Sequence, residues 1–242
     1  MTLIQAIDAR RSRRAYLPSP IDPTSVSELQ ALIAAYSKPN IFRMELVTEN
    51  RDAFRGFLKS YGLLSGVTNF IGLIADQRKP TAIEQLGYYG ELLILHAVTM
   101  GLGTCWVGGS FSRASMPFCL SDTEKLIGVI ALGNTSENGS RRERFFHRLI
   151  HRKGKAAEEL FISDQTPPDW FLHGMTAVQK APSSLHRQPV RFTYRDGVIE
   201  ASVKNADDAM LALDLGIAKL HFELGAGDGS WTWGNPGTFV RS

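Results

Sequence analysis

The chain has 242 residues and carries 27 Lys and Arg against 24 Asp and Glu, a formal net charge of +3. This balance excludes a dedicated basic arm for nucleic acid, and two cysteines without CxxC spacing exclude a disulfide scaffold or zinc module. The most apolar run, 92–95, is far shorter than a membrane span, and the first nine residues lack the features of a signal peptide. We therefore expect a soluble cytoplasmic protein without a membrane or nucleic-acid partner.

The first part of the sequence predicts two helices and a strand. Residues 2–9 have apolar residues at helical spacing, with Thr2 as a plausible N-cap. After three prolines, Ser25 and Glu28 form the capping-box pattern that opens a second helix. Residues 43–48 alternate in polarity, which predicts a strand.

The middle of the sequence predicts two strands of the same sheet, separated by a long helix. The strands are the isoleucine-rich runs 69–75 and 126–132, and the helix covers 82–100. Glycine is the usual helix terminator, so Gly101 is expected to end this helix.

The last part of the sequence predicts a basic amphipathic helix over 140–155 and then a hairpin. The hairpin joins the runs 190–194 and 198–203 through an Asp-Gly step, which is a strong turn signal. The last helix is expected over 206–224, followed by a glycine-rich tail.

Two segments of the chain resemble each other faintly. His96 precedes Trp106 by ten residues, His221 precedes Trp231 by ten, and both segments run from a helix through a glycine-rich break to the tryptophan. A duplicated half-unit and a chance match both explain this pattern.

Four arginines surround Ser12, directly after the first helix. They are Arg10, Arg11, Arg13 and Arg14. This pattern fits a solvated basic helix end, but it also fits a phosphate site, because the guanidinium group matches phosphate oxygens.

Two further segments carry possible binding chemistry. The glycine-rich run 101–109 fits a loop that lies flat against a planar ring, and equally a helix cap followed by a turn and a buried Trp. The run 181–189 contains Pro-Ser-Ser, which by itself is commonly a turn. The histidines lack metal-ligand spacing, with His96 and His221 expected as hydrogen-bonded core residues, and no catalytic triad is visible. We therefore predict neither a metal nor a catalytic side chain.

Together, the three motifs resemble the FMN-dependent nitroreductase family. The resemblance rests on Arg-Arg-Ser-Arg-Arg at 10–14, Gly-Leu-Gly-Thr-Cys-Trp-Val-Gly at 101–108 and Ala-Pro-Ser-Ser-x-x-x-Gln-Pro at 181–189. It implies an α+β, nitroreductase-like fold with a central, mostly antiparallel sheet flanked by helices.

The resemblance also implies a set of FMN-binding residues. Arg10 and Ser12 would hold the phosphate, and Arg14 would lie at the pyrimidine edge, where its charge stabilises the reduced ring. The other expected contacts are Arg11, Trp106, Val107, Gly108, Gly109, Lys153, Lys155, Pro182, Ser183, Ser184 and Gln188. Lys153 and Lys155 are the looser match, since the family often has Lys-x-Arg there.

One departure from the family pattern suggests that two half-units are fused. The early loop 36–40 lacks the Pro-Ser-Ser element, and a good copy occurs only at Pro182. This arrangement resembles a subfamily in which one chain mimics the family dimer. The implied halves are 1–160 and 161–242, with one FMN in a monomer that contains its own pseudo-dimer interface, whether or not it oligomerises further.

The activity implied is hydride transfer from NAD(P)H through FMN to an electron-poor small molecule, such as a nitroaromatic or a quinone. Two alternatives remain at this point. One is a non-catalytic flavin-binding sensor or carrier, and the other is a basic interaction module acting through 140–155.

Overall fold

The computed structural model describes residues 1–38, 40–54, 64–109, 111, 116–136 and 154–241. The chain divides into two compact units. Unit 1 comprises Met1, Ala9–Lys79 and Leu93–Leu149, and unit 2 comprises Thr2–Asp8, Pro80–Leu92 and Ile150–Ser242.

Within the described ranges, the chain forms five α-helices and nine strands. The helices are α1 (Leu3–Ala9), α2 (Pro23–Tyr36), α3 (Ala82–Thr99), α4 (Asp169–Gln179) and α5 (Ala209–Ala226). The strands are β1 (Phe42–Val47), β2 (Asn69–Asp76), β3 (Gly103–Val107), β4 (Glu124–Gly133), β5 (Phe161–Ser163), β6 (Arg191–Arg195), β7 (Val198–Ser202), β8 (Ser230–Trp231) and β9 (Gly237–Val240).

The sheet of unit 1 has the order β1-β2-β4-β3, with every neighbouring pair antiparallel. Its central strand β2 is buried along its whole length, as expected for an isoleucine-rich run covered on both faces. Phe70, Val129 and Ala131 belong to the apolar core on this sheet. The three strands predicted here are confirmed.

The sheet of unit 2 has the order β5-β6-β7-β9-β8, in which only β5 and β6 are parallel. The predicted hairpin is confirmed: Asp196 and Gly197 both have positive φ, at 49° and 78°, as a type I′ turn requires. The core of this unit is aromatic and contains Phe171, Phe222 and Phe239.

One topology occurs twice along the chain. The first copy follows the order α2-β1-β2-α3-β3-β4, in which residues 82–92 of α3 belong to unit 2. The order α4-β6-β7-α5-β8-β9 repeats it with the same antiparallel neighbours. Both long helices have 18 residues and end before glycines with nearly equal φ, 82° at Gly101 and 84° at Gly227. Each is followed by an edge strand that contains a tryptophan, Trp106 or Trp231. This repetition supports the proposal of an internal duplication, and the division into 1–160 and 161–242 stays a prediction.

The α+β class is confirmed, but three details differ from the sequence prediction. The strands form two sheets instead of one central sheet. Helix α2 begins at Pro23 and not at Ser25, because the carboxylate of Asp22 accepts the Ser25 N–H at 3.0 Å and proline is favourable at a first helical position. The predicted glycine-rich tail contains β8 and β9.

The cap of α1 agrees with the sequence. Thr2 Oγ1 accepts from the Gln5 N–H at 3.2 Å, while Gln5 Oε1 accepts from the Thr2 N–H at 2.8 Å, which is a reciprocal capping box.

Most of the predicted helix 140–155 lies outside the described residues. Among the described helices, none combines the length and apolar character needed to cross a membrane.

Candidate functional site

In unit 1, the arginine segment lies directly beside strand β3. The chain leaves α1 in an extended conformation, and Ser12 forms a parallel bridge with Thr104. The Arg13 N–H donates to the Thr104 carbonyl at 2.8 Å, and the Tyr16 N–H donates to Ser65 at 2.9 Å. Two motifs that are about ninety residues apart in sequence therefore meet at one edge of the sheet.

Backbone carbonyls accept hydrogen bonds from the side chains of Arg11, Arg13 and Arg14. Arg13 Nη2 donates to the Ser136 carbonyl at 2.5 Å, and Arg14 Nη1 donates to the Ser12 carbonyl at 3.3 Å. Arg11 is exposed, and its Nη1 donates to the Arg10 carbonyl at 2.8 Å. The result is a concentration of positive charge along the edge of β3, which favours an anionic ligand.

The glycine-rich run is a strand for most of its length, which corrects the prediction of a loop. Gly103–Val107 pairs with β4, so its backbone is fixed by the sheet. Trp106 and Gly108 are half-buried, Val107 is buried and Gly109 is exposed. A Cβ added at Gly109 would have no heavy atom of the described residues within 4 Å, so these residues leave room next to this backbone.

Thr104 has a buried polar atom at the junction of these two motifs. Thr104 is 1% exposed, and its Oγ1 atom has no hydrogen-bond partner among the described residues. Buried hydroxyl groups are normally hydrogen-bonded, so this atom marks a place where a polar ligand atom would be favourable.

In unit 2, the Pro-Ser-Ser element is part of a hydrogen-bonded loop, 182–189. The Gln188 side chain accepts from the Lys155 N–H at 2.8 Å and donates to the Gln179 carbonyl at 3.0 Å. Lys155 Nζ donates to the Gln188 carbonyl at 2.8 Å, and Ser183 Oγ accepts from the Gln188 N–H at 2.9 Å. Ser183 and Gln188 thus shape the loop from within, while Pro182 and Ser184 lie half-buried on it.

The backbone of this loop is strained. Leu185, His186 and Gln188 all have φ between 47° and 53°, a backbone conformation that residues other than glycine rarely adopt. Such conformations cost energy and persist only where surrounding contacts hold them. A strained loop on rigid elements is a common arrangement at ligand sites.

A carboxylate on α5 holds the start of this loop. Both oxygens of Asp214 accept from the Ser184 N–H, at 3.1 and 3.2 Å, and Asp214 is only 5% exposed. Burial raises the pKa of Asp214 to about 7, while the hydrogen bond from Ser184 opposes this shift.

Each unit therefore gathers part of the predicted set of binding residues. Unit 1 brings the arginine segment 10–14 beside the segment 103–109, and unit 2 brings Lys155 to the loop 182–189. Lys153 lies outside the described residues. Their contacts with a cofactor stay predictions.

Sequence reasoning missed Thr104 and Asp214. The signal for Asp214 was a single carboxylate in the apolar run Met210–Ile217 of a helix, where an acidic residue needs a specific partner. Thr104 gave no such signal, because a threonine in a strand is ordinary.

Both predicted histidines are hydrogen-bonded, but only His221 of the two lies in the core, and His96 is half-buried. His221 is fully buried; its Nδ1 donates to the Ala177 carbonyl at 3.0 Å, and its Nε2 lies 3.1 Å from a Glu91 oxygen. His96 Nε2 lies 3.0 Å from the Tyr36 hydroxyl. Within the part of the chain that the structure describes, no three His, Cys, Asp or Glu residues are grouped to hold a metal ion, and the absence of a metal stays a prediction.

Comparison with protein families identifies the chain. A family model described as "Putative TM nitroreductase" matches residues 2–226, which is nearly the whole sequence. The chain belongs to this family. A comparison with curated proteins found no match.

One solved structure shares the fold of this chain over its whole length. A protein from Thermotoga maritima MSB8 named a "putative nitroreductase" is 18% identical with a TM-score of 0.67, over 100% of this chain and 94% of that one. A nitroreductase with bound FMN from Bacteroides fragilis NCTC 9343 is 17% identical with a TM-score of 0.47, over 57% of this chain and 91% of that one. An FMN-dependent nitroreductase from Clostridium difficile R20291 is 15% identical with a TM-score of 0.46, over 63% and 99%.

The residues of unit 1 fit an FMN group. A terminal phosphate needs cationic and hydroxyl donors, which the segment 10–14 supplies. The buried Thr104 hydroxyl has no hydrogen-bond partner among the described residues, so it can still bind a polar group. The described residues around Gly109 leave room for a planar ring next to the backbone. In unit 2, Ser183 and Gln188 already use side-chain atoms inside the loop, so their part in binding would be to shape it.

Proposed function

We propose that this protein is an FMN-dependent oxidoreductase that passes hydride from NAD(P)H to an electron-poor small molecule. A nitroaromatic or a quinone is the acceptor class we favour. The observation that carries the proposal is the Ser12–Thr104 bridge, which joins the arginine segment to the glycine-rich strand in a chain of the nitroreductase family.

Hydride chemistry would be supplied by the bound flavin, so the protein has to bind and orient it. In this proposal Arg10 and Ser12 bind the phosphate, and Arg11 belongs to the same cofactor-binding segment. Trp106, Val107, Gly108 and Gly109 form the wall beside the ring. No acid or base side chain is required, which agrees with the lack of a catalytic triad in the sequence.

Arg14 has the electrostatic role. Its guanidinium, held by the Ser12 carbonyl, would lie at the pyrimidine edge and favour the negative charge that reduction brings there. Lys153, Lys155, Pro182, Ser183, Ser184 and Gln188 complete the proposed site. Each half of the proposed duplication supplies what the other lacks, so we propose one site per chain in a folded monomer.

The first prediction is that the protein binds one FMN per chain and that NAD(P)H bleaches it. The arginine segment suits a terminal phosphate, and the sequence lacks a GxGxxG dinucleotide fingerprint. Denaturation followed by chromatography identifies the released flavin, and flavin content with light scattering gives the stoichiometry.

Four outcomes would contradict parts of this proposal. Release of FAD would contradict the cofactor, and two FMN per chain or binding only by a dimer would contradict the fused-half arrangement. A yellow protein that NAD(P)H and acceptors leave unchanged would favour the non-catalytic sensor or carrier.

The second prediction is that Arg14→Ala makes the bound flavin harder to reduce. Hydrogen bonds to charged groups contribute about 1.5–3 kcal/mol, which corresponds to a reduction potential roughly 30–60 mV more negative. The potential is measured by reductive titration of the fully FMN-loaded variant. Arg51→Ala removes an exposed arginine of the same unit and is expected to leave the potential unchanged; an unchanged potential in the Arg14 variant would contradict the role.

A further inference from the structure

The loop 182–189 is attached to helix α5 through one buried carboxylate. The Ser184 N–H begins a 3₁₀ turn, so the turn itself offers it no carbonyl partner. Asp214 supplies the acceptor from another element, as an N-cap side chain would do from within a helix.

The surroundings of Asp214 are mostly apolar, so burying its carboxylate there costs free energy. Asp214 lines a small cavity together with Ser183 and Gln188 and with the apolar side chains of Val178 and Ala218. Among the described residues, no cationic side chain forms an ion pair with Asp214, and Arg187 lowers its pKa less than burial raises it. Aspartate is rarely buried without such a partner, so a stability role alone would be served better by a neutral residue.

The loop needs such an anchor because its backbone is strained. Three residues that follow Ser184 have positive φ. The end of the loop is fixed through Gln188, which binds Lys155 and Gln179. Its beginning is fixed by Asp214.

We propose that Asp214 is a positioning residue of the flavin site, because it accepts the Ser184 N–H and so fixes the loop 182–189 in its binding conformation. This inference rests on the proposed function, in which Pro182 and Ser184 contact the cofactor. Asp214 itself touches neither the cofactor nor the substrate.

The test compares Asp214→Ala, Asp214→Asn and the control Asp208→Asn in the full-length protein. Asparagine keeps an oxygen that accepts the Ser184 N–H, whereas alanine removes it. Asp208 caps the same helix by accepting from Met210 and Leu211, and Asn is an equally good cap. FMN affinity is measured by quenching of flavin fluorescence, and amide hydrogen exchange of 182–189 is measured without FMN.

We expect Asp214→Ala to weaken FMN binding about tenfold or more and to increase exchange in 182–189, with little change in strands β1–β4. Asp214→Asn is expected to restore both values to within about threefold of the unchanged protein, and Asp208→Asn is expected to match it. Unchanged affinity and exchange in Asp214→Ala, or no rescue by Asn, would overturn the inference.

A second pair of variants tests the same hydrogen bond from its donor. Ser184→Pro removes the N–H. Proline is favourable at the first position of a helix, and Ser183, with ψ at 159°, already has the extended conformation that a residue before proline prefers. Ser184→Ala is the matched control, since it loses the hydroxyl but keeps the N–H. Faster exchange in 182–189 in the proline variant but not in the alanine variant, together with FMN binding that is weaker in the proline variant than in the alanine variant, supports the role of Asp214. Equal exchange and equal affinity in the two variants would overturn it.

The failure of the proposed function would look different. If the unchanged protein bound no FMN while exchange in 182–189 still increased in Asp214→Ala, the proposed function would be wrong and Asp214 would still hold the loop. If FMN bound but the variants did not differ, only the role of Asp214 would be wrong.

Discussion

Lys219→Met is expected to destabilise unit 2 by about 3–5 kcal/mol. Lys219 and Glu84 form an ion pair in which the lysine is 0% exposed and the glutamate 3%. Lys219 Nζ also donates to the Thr232 carbonyl at 3.1 Å and to the Gly234 carbonyl at 3.0 Å. Methionine fills a similar volume but leaves the Glu84 carboxylate buried, with the Gly234 N–H, at 2.8 Å, as its one remaining partner among the described residues.

Burial raises the pKa of Glu84, and Lys219 is the main group that opposes this shift. The variant protein must therefore either bury an unpaired charge or protonate Glu84, and both options cost stability. Urea unfolding followed by tryptophan fluorescence measures the loss, because the Trp231 indole N–H donates to the Lys219 carbonyl at 2.9 Å and reports on this place.

Two comparisons make the measurement specific. Lys180→Met breaks a pair with Asp8 that is about half exposed, so it is expected to cost at most about 1 kcal/mol. The double variant Lys219→Met with Glu84→Gln is expected to recover much of the loss, since no charge remains buried. Equal effects of Lys219→Met and Lys180→Met would contradict the argument.

The sequence predicted the fold well where the signal was local. The Thr2 cap, the Asp-Gly hairpin turn and the buried strand over 69–75 each follow from residue chemistry within a few positions. Strands β3 and β8 could not be predicted in this way. Their glycines resemble a loop, and both are strands only because β4 and β9 supply hydrogen bonds from elsewhere in the chain.

In the candidate site, too, local features could be predicted from the sequence and tertiary contacts could not. The motif at 10–14 and the glycine-rich run were identifiable from their residue types and from the family resemblance. That Ser12 pairs with Thr104 depends on tertiary structure, which no local pattern contains. The partner of Asp214 is another such case, since thirty residues separate it from Ser184.

Charged residues in the long helices connect fold and site. Helix α5 carries Asp214, Lys219 and His221, and all three side chains contact other parts of the chain. Asp214 contacts the loop 182–189, and Lys219 contacts helix α3 and the segment 232–234. His221 contacts helices α3 and α4. These contacts fix the rotation of α5 about its own axis, because a turned helix would leave buried polar groups unpaired. The position of Asp214 under the loop therefore depends on how α5 packs.

Gly216→Ala is expected to disrupt that packing and to destabilise unit 2 by about 3 kcal/mol or more. A Cβ at Gly216 would overlap the Glu84 carbonyl oxygen and lie 2.7 Å from the Tyr88 nitrogen, and a Cβ at Gly87 would overlap the Leu213 carbonyl. These are backbone atoms of facing helices, so a rotamer change cannot relieve the overlap. Alanine favours an isolated helix by about 1 kcal/mol, which is smaller than the expected cost of separating α3 from α5.

Two other Gly→Ala variants serve as controls, because they add the same methyl group at positions where its overlap with neighbouring atoms is smaller. Gly174→Ala would meet the Phe222 ring at 2.8 Å, and since a ring can shift, we expect a cost of about 1–2 kcal/mol. At Gly109 an added Cβ has no heavy atom of the described residues within 4 Å, so Gly109→Ala is expected to change the unfolding free energy of the flavin-free protein by no more than about 0.5 kcal/mol. Urea unfolding of all three variants gives the order, and a Gly216→Ala protein as stable as Gly109→Ala would contradict the close helix crossing. Because Asp214 lies two residues from Gly216, Gly216→Ala should also increase amide exchange in the loop 182–189, whereas Gly109→Ala should leave it unchanged.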